Sequence, residues 1–382
     1  MINRPDVYTV PGGDTVQMVE SARAVRRLGV TVDLATADRM PGFGAYDLLH
    51  VFNWEQMEAV LSSDRGLCGG RPPIVLEPIM MFQTAHWYEA ASGAKPLWMA
   101  VRRLMGDSGG RKLYVAWQER KFRRGPIRAA LLRALEAPAR IVTNSEAEFE
   151  HAHSIFGLRK FAAKLSVIPN GVDRASFDPL PAAETELPGC GRLHKFVIQG
   201  ARIQRVKNQL ELIEALFDVP VPIVFAGQWS PYEPEYLARC MDAGRRRGMV
   251  HFIGAVPHER MAGLYRAAAV HVLPSYREVL PLSCLEAAAA GCRIVCTTVG
   301  GIREYFGELA WYCDPWDRSS IRRAVMEALH APESTRLREL VLAKYTWDCI
   351  AQQIFEVYGQ VLGRSESRAA EGARTYQHAG RG

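Results

Sequence analysis

Four charged residues follow short apolar runs, at positions where ligand-binding loops commonly follow buried strands. Arg202 and Lys207 share one such loop, and Glu278 and Glu286 follow a later run. A guanidinium binds phosphate oxygens bidentately and an ammonium adds a point charge, so the cations suit a diphosphate. Carboxylates beside that anion would repel it unless they accept hydrogen bonds from sugar or ribose hydroxyls. Taken alone, the cations could form a solvated loop and the acids could be ordinary surface or first-turn residues.

A helix is predicted to begin near Leu282, directly after the loop that carries Glu278. Pro281 stands where a proline favours a helix start, and Glu286 lies about one turn inside the helix. The free N–H groups and the positive dipole end of such a helix attract anions. The sequence therefore predicts that the acids and the anion-binding groups lie close together.

The apolar runs recur along the chain with helical patterns between them. They lie at residues 6–10, 30–35, 48–52, 73–77 and 141–143, and again at 196–199, 223–226, 250–253, 270–274, 293–297 and 309–312. This alternation predicts an α/β fold of two doubly wound domains with parallel sheets. Open parallel sheets bind ligands beyond the carboxyl ends of their strands, so we expect the site in a central cleft between the two domains.

A proline-rich interval divides the two sets of runs. We predict an amino-terminal domain over residues 1–178, a linker over 179–191 and a second domain over 192–346. Residues 347–363 have one apolar helical face, and we expect this helix to cross back to the first domain. Residues 364–382 lack apolar periodicity and are predicted to be a disordered tail.

The composition and the missing signatures exclude several classes of protein. With 48% hydrophobic and 23% charged residues among 382, wholesale disorder is excluded. No apolar window approaches the ~18 residues of a membrane span, and no apolar leader opens the chain, so a cytoplasmic location is expected. The P-loop and dinucleotide fingerprints are absent. Eight scattered cysteines without a C-x-x-C pair, and histidines without a shared spacing, predict neither a metal nor a bound cofactor.

Glu278 and Glu286 form an E-x7-E pattern, through which the chain resembles glycosyltransferase family 4. Five further segments also resemble segments of that family and occur in the same order along the chain. They are residues 11–15, 143–146, 167–173, 200–207 and 300–304. The resemblance covers residues 6–362. It implies the GT-B fold, two Rossmann-like domains facing a cleft, and a retaining enzyme that uses a nucleoside diphosphate sugar as co-substrate.

The resemblance also implies roles for individual residues. Arg202 and Lys207 would neutralise the diphosphate, Glu278 would hold hydroxyls of the transferred sugar, and Glu286 would bind the ribose. Of these, Arg202, Lys207 and Glu278 are the expected catalytic residues. The remaining donor-binding positions that it implies are Gly12, Gly13, Gly254, Val256, Leu280 and Leu282.

Two departures from the family pattern bear on the site. Val279 and Pro281 stand where many relatives carry glycine, which would alter the sugar that fits. Relatives also often place a histidine after the fourth strand of the first domain, but here Glu77 is followed by none for eight residues. His86 could take the place of that histidine. The alternative is that His86 is an ordinary histidine on the surface of a helix.

The segment 102–140 is strongly basic. Between Val101 and Arg140 the chain has eleven Lys or Arg against three acidic residues. Apolar residues alternate with the cations, at Leu113, Trp117, Phe122, Ile127, Leu131, Leu132 and Leu135. This pattern is compatible with a helix pair lying on an anionic membrane surface or with a solvated helical face. Without a helix-turn-helix or a stacking platform, no nucleic acid partner is expected.

Together these features predict a glycosyltransferase that moves a hexose-type sugar to a hydroxyl of a saccharide or lipid-linked saccharide. The expected setting is surface polysaccharide biosynthesis, in the cytoplasm or at the inner face of the membrane. The alternatives are a sugar-nucleotide epimerase on the same fold and a non-catalytic homologue that binds a glycan or a nucleotide.

Overall fold

The computed structural model describes residues 1–63, 71–80, 82, 88, 91, 95–179, 183, 186–187, 191–193, 195–279 and 282–363. The chain divides into two compact units. The first contains Met1–Met80, Phe122–Pro169 and the chain from Trp347 on, and the second contains Met81–Lys121 and Asn170–Thr346. Residues 81–121 and 170–178, which are predicted in the amino-terminal domain, thus group with the second unit. The predicted tail, His86 and Leu280 lie outside the described residues.

The first unit is built on a six-stranded parallel sheet with the strand order β2-β1-β3-β4-β5-β6. Its strands are β1 (Ile2–Asn3), β2 (Ala35–Thr36), β3 (Leu49–Phe52), β4 (Ile74–Glu77), β5 (Arg140–Thr143) and β6 (Leu165–Val167). Strands β3, β4 and β5 confirm the predictions for runs 48–52, 73–77 and 141–143. Their side chains are almost entirely buried, as expected for a parallel sheet covered on both faces.

Two predicted strands of this unit are wrong. Residues 6–10 form turns after β1, because Pro5 has no N–H to continue the ladder and the Val10 N–H donates to the Asp6 carbonyl over 2.9 Å. In the run 30–35 only Ala35 pairs with β1, in β2.

The helices of the first unit include α1 (Gly13–Arg27), α2 (Met57–Ser62), α4 (Pro126–Glu136), α5 (Glu146–Phe156) and α13 (Trp347–Val361). The predicted apolar face of α13 is buried, and the helix packs against α1 within this unit. Tyr358 of α13 also lies 2.7 Å from His50 Nδ1 on β3. The carboxyl-terminal helix is therefore an integral part of the core of the first unit.

The second unit contains a six-stranded parallel sheet with the order β11-β10-β9-β12-β13-β14. Its strands are β9 (Val197–Gly200), β10 (Ile223–Ala226), β11 (Val250–Gly254), β12 (Val270–Leu273), β13 (Arg293–Thr297) and β14 (Trp311–Cys313). A separate short hairpin joins β7 (Glu186–Leu187) and β8 (Gly191–Arg192). The first five predicted strands are confirmed, whereas the last begins two residues later than expected because Gly307–Leu309 forms a 3-10 turn.

Helices cover this second sheet. They are α6 (Gln209–Ala215), α7 (Pro234–Arg247), α8 (His258–Ala267), α9 (Leu282–Ala289), α10 (Ile302–Phe306), α11 (Arg318–His330) and α12 (Arg336–Lys344). The unit also holds most of α3 (Pro96–Arg124), which is kinked at Gly106, where φ is 68°. Helix α9 begins at the predicted residue Leu282.

The strand order brings two particular loops together. Chain connections run outward in one direction from β9 to β11 and in the other direction from β12 to β14. Strands β9 and β12 are neighbours at this switch point, so the loops that follow them emerge side by side at the carboxyl edge of the sheet. These are the loops that carry Lys207 and Glu278.

The burial of α13 predicts the effect of truncating its apolar face. Ile354 is 2% exposed, so Ile354→Ala should lower the free energy of unfolding by about 2 to 5 kcal/mol. Urea denaturation followed by circular dichroism measures this change. Glu356→Ala on the exposed face of the same helix is the matched control and should leave the midpoint nearly unchanged. Equal midpoints for the two variants would contradict the packing of α13.

Candidate functional site

The loop after β9 is held in place by backbone and side-chain hydrogen bonds. It ends in a 3-10 turn at Arg205–Lys207. The buried Gln199 donates from Nε2 to the Lys207 carbonyl over 2.7 Å. The Tyr276 N–H, from the loop after β12, donates to the Val206 carbonyl over 2.9 Å. The two loops at the switch point are therefore bonded directly to one another.

Asn208 is the residue that fixes this arrangement most firmly. It is buried and adopts a left-handed conformation with φ of 62°, which asparagine tolerates better than most residues. Its Nδ2 donates to the Pro274 carbonyl over 3.0 Å and to the Pro315 carbonyl over 2.8 Å. One side chain thus ties together the loops that follow β9, β12 and β14. This role was not predicted from the sequence, because the Asn208 side chain makes no capping hydrogen bond and instead joins loops that are distant along the chain.

Lys207 and Glu278 meet across the two loops. Lys207 Nζ lies 2.7 Å from Glu278 Oε1, and the two side chains are 20% and 2% exposed. An ionised carboxylate with so little exposure requires a partner charge, which the ammonium supplies. The structure therefore brings together two of the predicted catalytic residues as an ion pair.

The backbone of Glu278 depends on the glycine pair that follows β13. Its N–H donates to the Val299 carbonyl over 3.1 Å, and Glu278 forms an isolated parallel bridge with Gly300. Gly300 has φ of 112°, and a Cβ there would lie 1.8 Å from the Glu278 carbonyl oxygen. Glycine is required at this position for both reasons.

Two further cations lie in the loop after β9. Arg202 is half-buried, and its carbonyl accepts a hydrogen bond of 2.9 Å from Gln209 Nε2. The Arg205 N–H donates to Glu233 Oε2 over 2.6 Å, and the Arg205 guanidinium lies over the Tyr236 ring, 5.4 Å from its centre. The loop therefore presents several positive charges on a fixed backbone.

Glu286 lies on α9 in a different environment. Its side chain is 15% exposed, and Oε1 lies 3.8 Å from His258 Nδ1. Burial raises the pKa of Glu286 to about 7, and the nearby His258 opposes that rise. This carboxyl group consequently changes charge close to neutral pH.

Three of the predicted donor-binding positions, Gly254, Val256 and Leu282, lie in the second unit. Gly254 ends β11 with φ of 72°, and its carbonyl accepts the Gly227 N–H over 2.7 Å. Val256, two residues later in the same loop, packs against the core. Leu282 opens α9. All three lie at the carboxyl edge of the second sheet.

Gly12 and Gly13 lie in the first unit. Gly12 is the residue before α1, its N–H donates to Thr15 Oγ1 over 2.9 Å, and Gly13 is the first residue of the helix. Their loop is braced by Arg4, whose Nε lies 2.7 Å from Asp14 Oδ2.

A buried polar cluster at the end of β4 was not anticipated from the sequence. Glu77 contacts Gln17 Nε2, and its Oε1 lies 3.3 Å from His50 Nε2. Gln17 Nε2 also donates to Asn144 Oδ1 over 2.9 Å. These four side chains are all less than 5% exposed. A buried carboxylate network therefore occupies the strand end where the family often carries a histidine.

A second unanticipated pair is His271 and Cys284 in the second unit. The Gly200 N–H donates to His271 Nε2 over 3.4 Å, and His271 Nδ1 lies 3.8 Å from Cys284 Sγ. Burial lowers the pKa of His271 to about 3, so the ring is neutral and links β9, β12 and α9. Cys292 and Cys296 are buried in the core of this unit.

Within the part of the chain that the structure describes, no group of three or more His, Cys, Asp or Glu side chains is arranged to hold a metal ion. Over the same residues, no helix is both long enough and apolar enough to cross a membrane.

Comparisons with known proteins bear on the family and the fold. Residues 193–339 match the family model described as glycosyl transferases group 1. The chain is 30% identical over 162 residues to the O-antigen chain mannosyltransferase B of Escherichia coli, covering 40% of this chain and 42% of the relative. It is 26% identical over 264 residues to a D-inositol 3-phosphate glycosyltransferase of Corynebacterium urealyticum, covering 60% and 59%. The chain thus spans about half the length of the curated relatives that it matches.

Solved structures resemble nearly the whole chain. Sucrose-phosphate synthase from Thermosynechococcus elongatus superposes with a TM-score of 0.67 at 19% identity, over 93% of this chain and 94% of that one. Anabaena HepE in complex with UDP and glucose superposes with a TM-score of 0.61 at 15% identity, over 94% and 99%. The predicted α/β GT-B fold is confirmed, and so is the resemblance to the group 1 glycosyl transferases.

The contact between Gly300 and Glu278 predicts a large difference between two glycine variants. Gly307 also has a positive φ, 52°, but a Cβ there would meet nothing within 4 Å. Gly307→Ala should cost about 1 kcal/mol from backbone strain alone. Gly300→Ala should add about 1 to 3 kcal/mol more, because a backbone oxygen blocks the new methyl group. Thermal unfolding measures both, and equal melting temperatures would contradict the close approach.

Proposed function

We propose that this chain, in which residues 193–339 form a group 1 glycosyl transferase domain, is a retaining glycosyltransferase of family 4 type that transfers a hexose from a nucleoside diphosphate sugar. The acceptor is a hydroxyl of a saccharide or a lipid-linked saccharide. The observation that carries this proposal is the ion pair between Lys207 and Glu278 at the switch point of the second sheet.

The pair can divide its bonding capacity between the two ends of a nucleotide sugar. An ammonium has three N–H donors, and one is directed at Glu278. The other two are available for diphosphate oxygens, with Arg202 adding a guanidinium from the same loop. The carboxylate of Glu278 retains acceptor capacity for hydroxyls of the sugar. A phosphate and a sugar ring are thereby bound side by side.

The reaction requires mainly stabilisation of charge on the leaving group. The bond from the anomeric carbon to the diphosphate oxygen breaks, and the acceptor oxygen bonds to the same face of that carbon. The acceptor proton passes to an oxygen of the departing phosphate. Cations held in place before the reaction stabilise the developing negative charge, and each such group typically contributes about 10²- to 10³-fold to the rate. The sugar passes through an oxocarbenium-like state, beside which Glu278 is negatively charged.

The remaining positions bind the nucleoside in this proposal. Glu286 accepts hydrogen bonds from the ribose hydroxyls, and main-chain groups at Gly254 and Val256 contact the base. The backbone N–H group of Leu282 assists at the diphosphate. Two buried polar atoms at the switch point, Gln199 Oε1 on β9 and Ser275 Oγ on the loop after β12, have no hydrogen-bond partner among the described residues, which supports a polar ligand here.

The comparisons support the class of donor. The relative from Escherichia coli is named a mannosyltransferase, and the Anabaena structure contains UDP and glucose. Mannose and glucose are both hexoses, and UDP is a nucleoside diphosphate. The E-x7-E pattern of Glu278 and Glu286 supports the narrower assignment to family 4. The O-antigen relative likewise supports a place in surface polysaccharide or glycoconjugate biosynthesis.

Removing the ion pair should abolish transfer while the protein remains folded. In the double variant Lys207→Met with Glu278→Gln, neither partner leaves an uncompensated buried charge. We expect kcat/KM for the cognate donor to fall at least ~100-fold, since both charges act on the donor. Transfer is measured by release of nucleoside diphosphate from a panel of nucleotide sugars, and the anomeric configuration of the product by NMR.

Lys344→Ala is the matched control, because this lysine is exposed on α12 of the same unit. It should retain activity. A cognate donor at ~100 times its Kd should stabilise the wild-type protein by about 2.7 kcal/mol and the double variant far less. If the double variant has the kinetic parameters of the wild-type protein, the site assignment is contradicted. Interconversion of nucleotide sugars without transfer would identify an epimerase, and binding without turnover a non-catalytic homologue.

The position of Glu286 predicts a pH dependence of donor affinity. Its pKa is raised to about 7, so the carboxylate becomes protonated as the pH falls through that value. The ionised form is the better hydrogen-bond acceptor for two ribose hydroxyls. The KM for the nucleotide sugar should therefore rise below neutral pH, by at most about tenfold per pH unit. A nucleotide sugar is the appropriate ligand because its diphosphate does not titrate in this range.

Glu286→Gln should have a higher KM that hardly changes over the same pH range, since its amide does not titrate. Steady-state kinetics between mildly acidic and mildly alkaline pH measure both profiles. If the Gln variant keeps the slope of the wild-type protein, another group causes the pH dependence.

A further inference from the structure

Helix α3 exposes an unusual number of large apolar side chains. They are Leu97 at 68% exposure, Met99 at 50%, Leu104 at 84%, Met105 at 52%, Leu113 at 44% and Trp117 at 44%. A helix on the surface of a protein normally turns its apolar stripe towards the core. Contiguous exposed apolar surface of this kind marks a place where something else binds.

The spacing of these residues concentrates them on faces of the helix. Before the kink at Gly106, Leu97, Ala100 and Leu104 follow the i, i+3, i+7 pattern and are all exposed. After the kink, Leu113 and Trp117 are four residues apart and are also exposed. Both segments of α3 therefore present an apolar face to solvent.

The two segments of α3 contact each other across the kink at Gly106, and Arg111 links the helix to the rest of the second unit. Trp98 and Tyr114 are buried together, with ring centres 4.8 Å apart. The Arg111 guanidinium lies 4.1 Å from the centre of the Trp316 ring, which in turn stacks on Tyr276 at 3.9 Å. The exposed apolar side chains of α3 are those that this packing leaves accessible to solvent.

Basic residues surround the apolar face. Between Leu97 and Lys121 the chain has six Lys or Arg and two acidic residues. The exposed cations are Arg102, Arg103, Lys112, Arg120 and Lys121. The Lys121 ammonium lies 5.5 Å from the centre of the Trp117 ring. Aromatic rings and long basic side chains of this kind suit the boundary between headgroups and acyl chains.

We propose that residues 97–121 form a docking surface for an anionic lipid bilayer, on which α3 lies with Leu97, Leu104, Leu113 and Trp117 directed into the interface. The charge identifies this occupant: a second copy would bring one positive surface against another, whereas anionic headgroups complement it. The proposal concerns a surface apart from the sugar-nucleotide site and does not depend on the proposed reaction.

The surface is narrower than the basic segment expected from the sequence. Leu131 and Leu135, which we had grouped with these residues, are buried in the first unit. They contribute nothing to an exposed face. These two residues are therefore not part of the docking surface.

Co-flotation with lipid vesicles tests the proposal on the full chain. The wild-type protein should float with vesicles of phosphatidylcholine mixed with phosphatidylglycerol, and more weakly as salt is added. Each cation near the headgroups raises partitioning about fivefold, so Lys112→Glu with Arg120→Glu should weaken it at least ~30-fold. Leu97→Asn with Leu104→Asn should weaken binding at least ~10-fold through lost apolar burial.

Matched controls on the same unit separate the surface from general effects. Arg239→Glu with Lys344→Glu makes the same change in net charge on other exposed helical positions. Met241→Asn removes an exposed apolar side chain, 43% exposed, from α7. Both controls should bind vesicles like the wild-type protein.

A spectroscopic measurement on the unmodified surface completes the test. Anionic vesicles should shift Trp117 emission to the blue, and this shift should disappear in Trp117→Phe, which isolates it from the other seven of the eight tryptophans. The proposal is overturned if the wild-type protein does not float with anionic vesicles, if the controls lose binding equally, or if α3 binds only nucleic acid.

Discussion

The second unit is organised around a nearly buried negative charge. Glu278 is 2% exposed, and an ionised carboxylate there would be strongly unfavourable without the Lys207 ammonium 2.7 Å away. The partners lie on different loops, so both loops must be held to within a fraction of an ångström. Asn208, Gln199 and the Tyr276 N–H hold one side, and Gly300 permits the other. The constraint explains why so many uncharged residues around the pair are buried and bonded to the main chain.

The environment of Glu286 differs in a way that suits a different task. It lies on a helix rather than a loop, and its Oε1 lies 3.8 Å from Nδ1 of the exposed His258. Burial raises the pKa of this acid to about 7. A carboxyl group with a weak partner remains available to a ligand, but its charge depends on pH. The two acids of one sequence motif thus differ: Glu278 forms an ion pair with Lys207, whereas burial raises the pKa of Glu286 to about 7.

Helix α3 illustrates how one element can serve the fold with one face and a partner with the other. Trp98 and Tyr114 join its two segments, and Arg111 secures it to the rest of the second unit. Because these contacts use one side, the leucines and lysines on the remaining side are left to solvent. A buried anchor with an exposed basic and apolar face distinguishes this helix from an ordinary solvated one, in which the exposed side would be polar.

Local pattern by itself determined the central strands of both sheets, the start of α9 and the apolar face of α13, because runs of apolar residues form recognisable strands and helices wherever they occur. It also singled out Arg202, Lys207, Glu278 and Glu286 as candidate site residues from residue type and spacing. It failed at residues 6–10, where Pro5 ends the ladder and Arg4 bonds the turn instead. Only the tertiary structure decided that Lys207 and Glu278, 71 residues apart, form an ion pair. The same holds for the contacts of Glu77 with Gln17 and His50, and for the exposure of the apolar side of α3 to solvent. Those outcomes depend on which strands pair in the sheet and which helix faces are covered. The local sequence around each residue specifies neither.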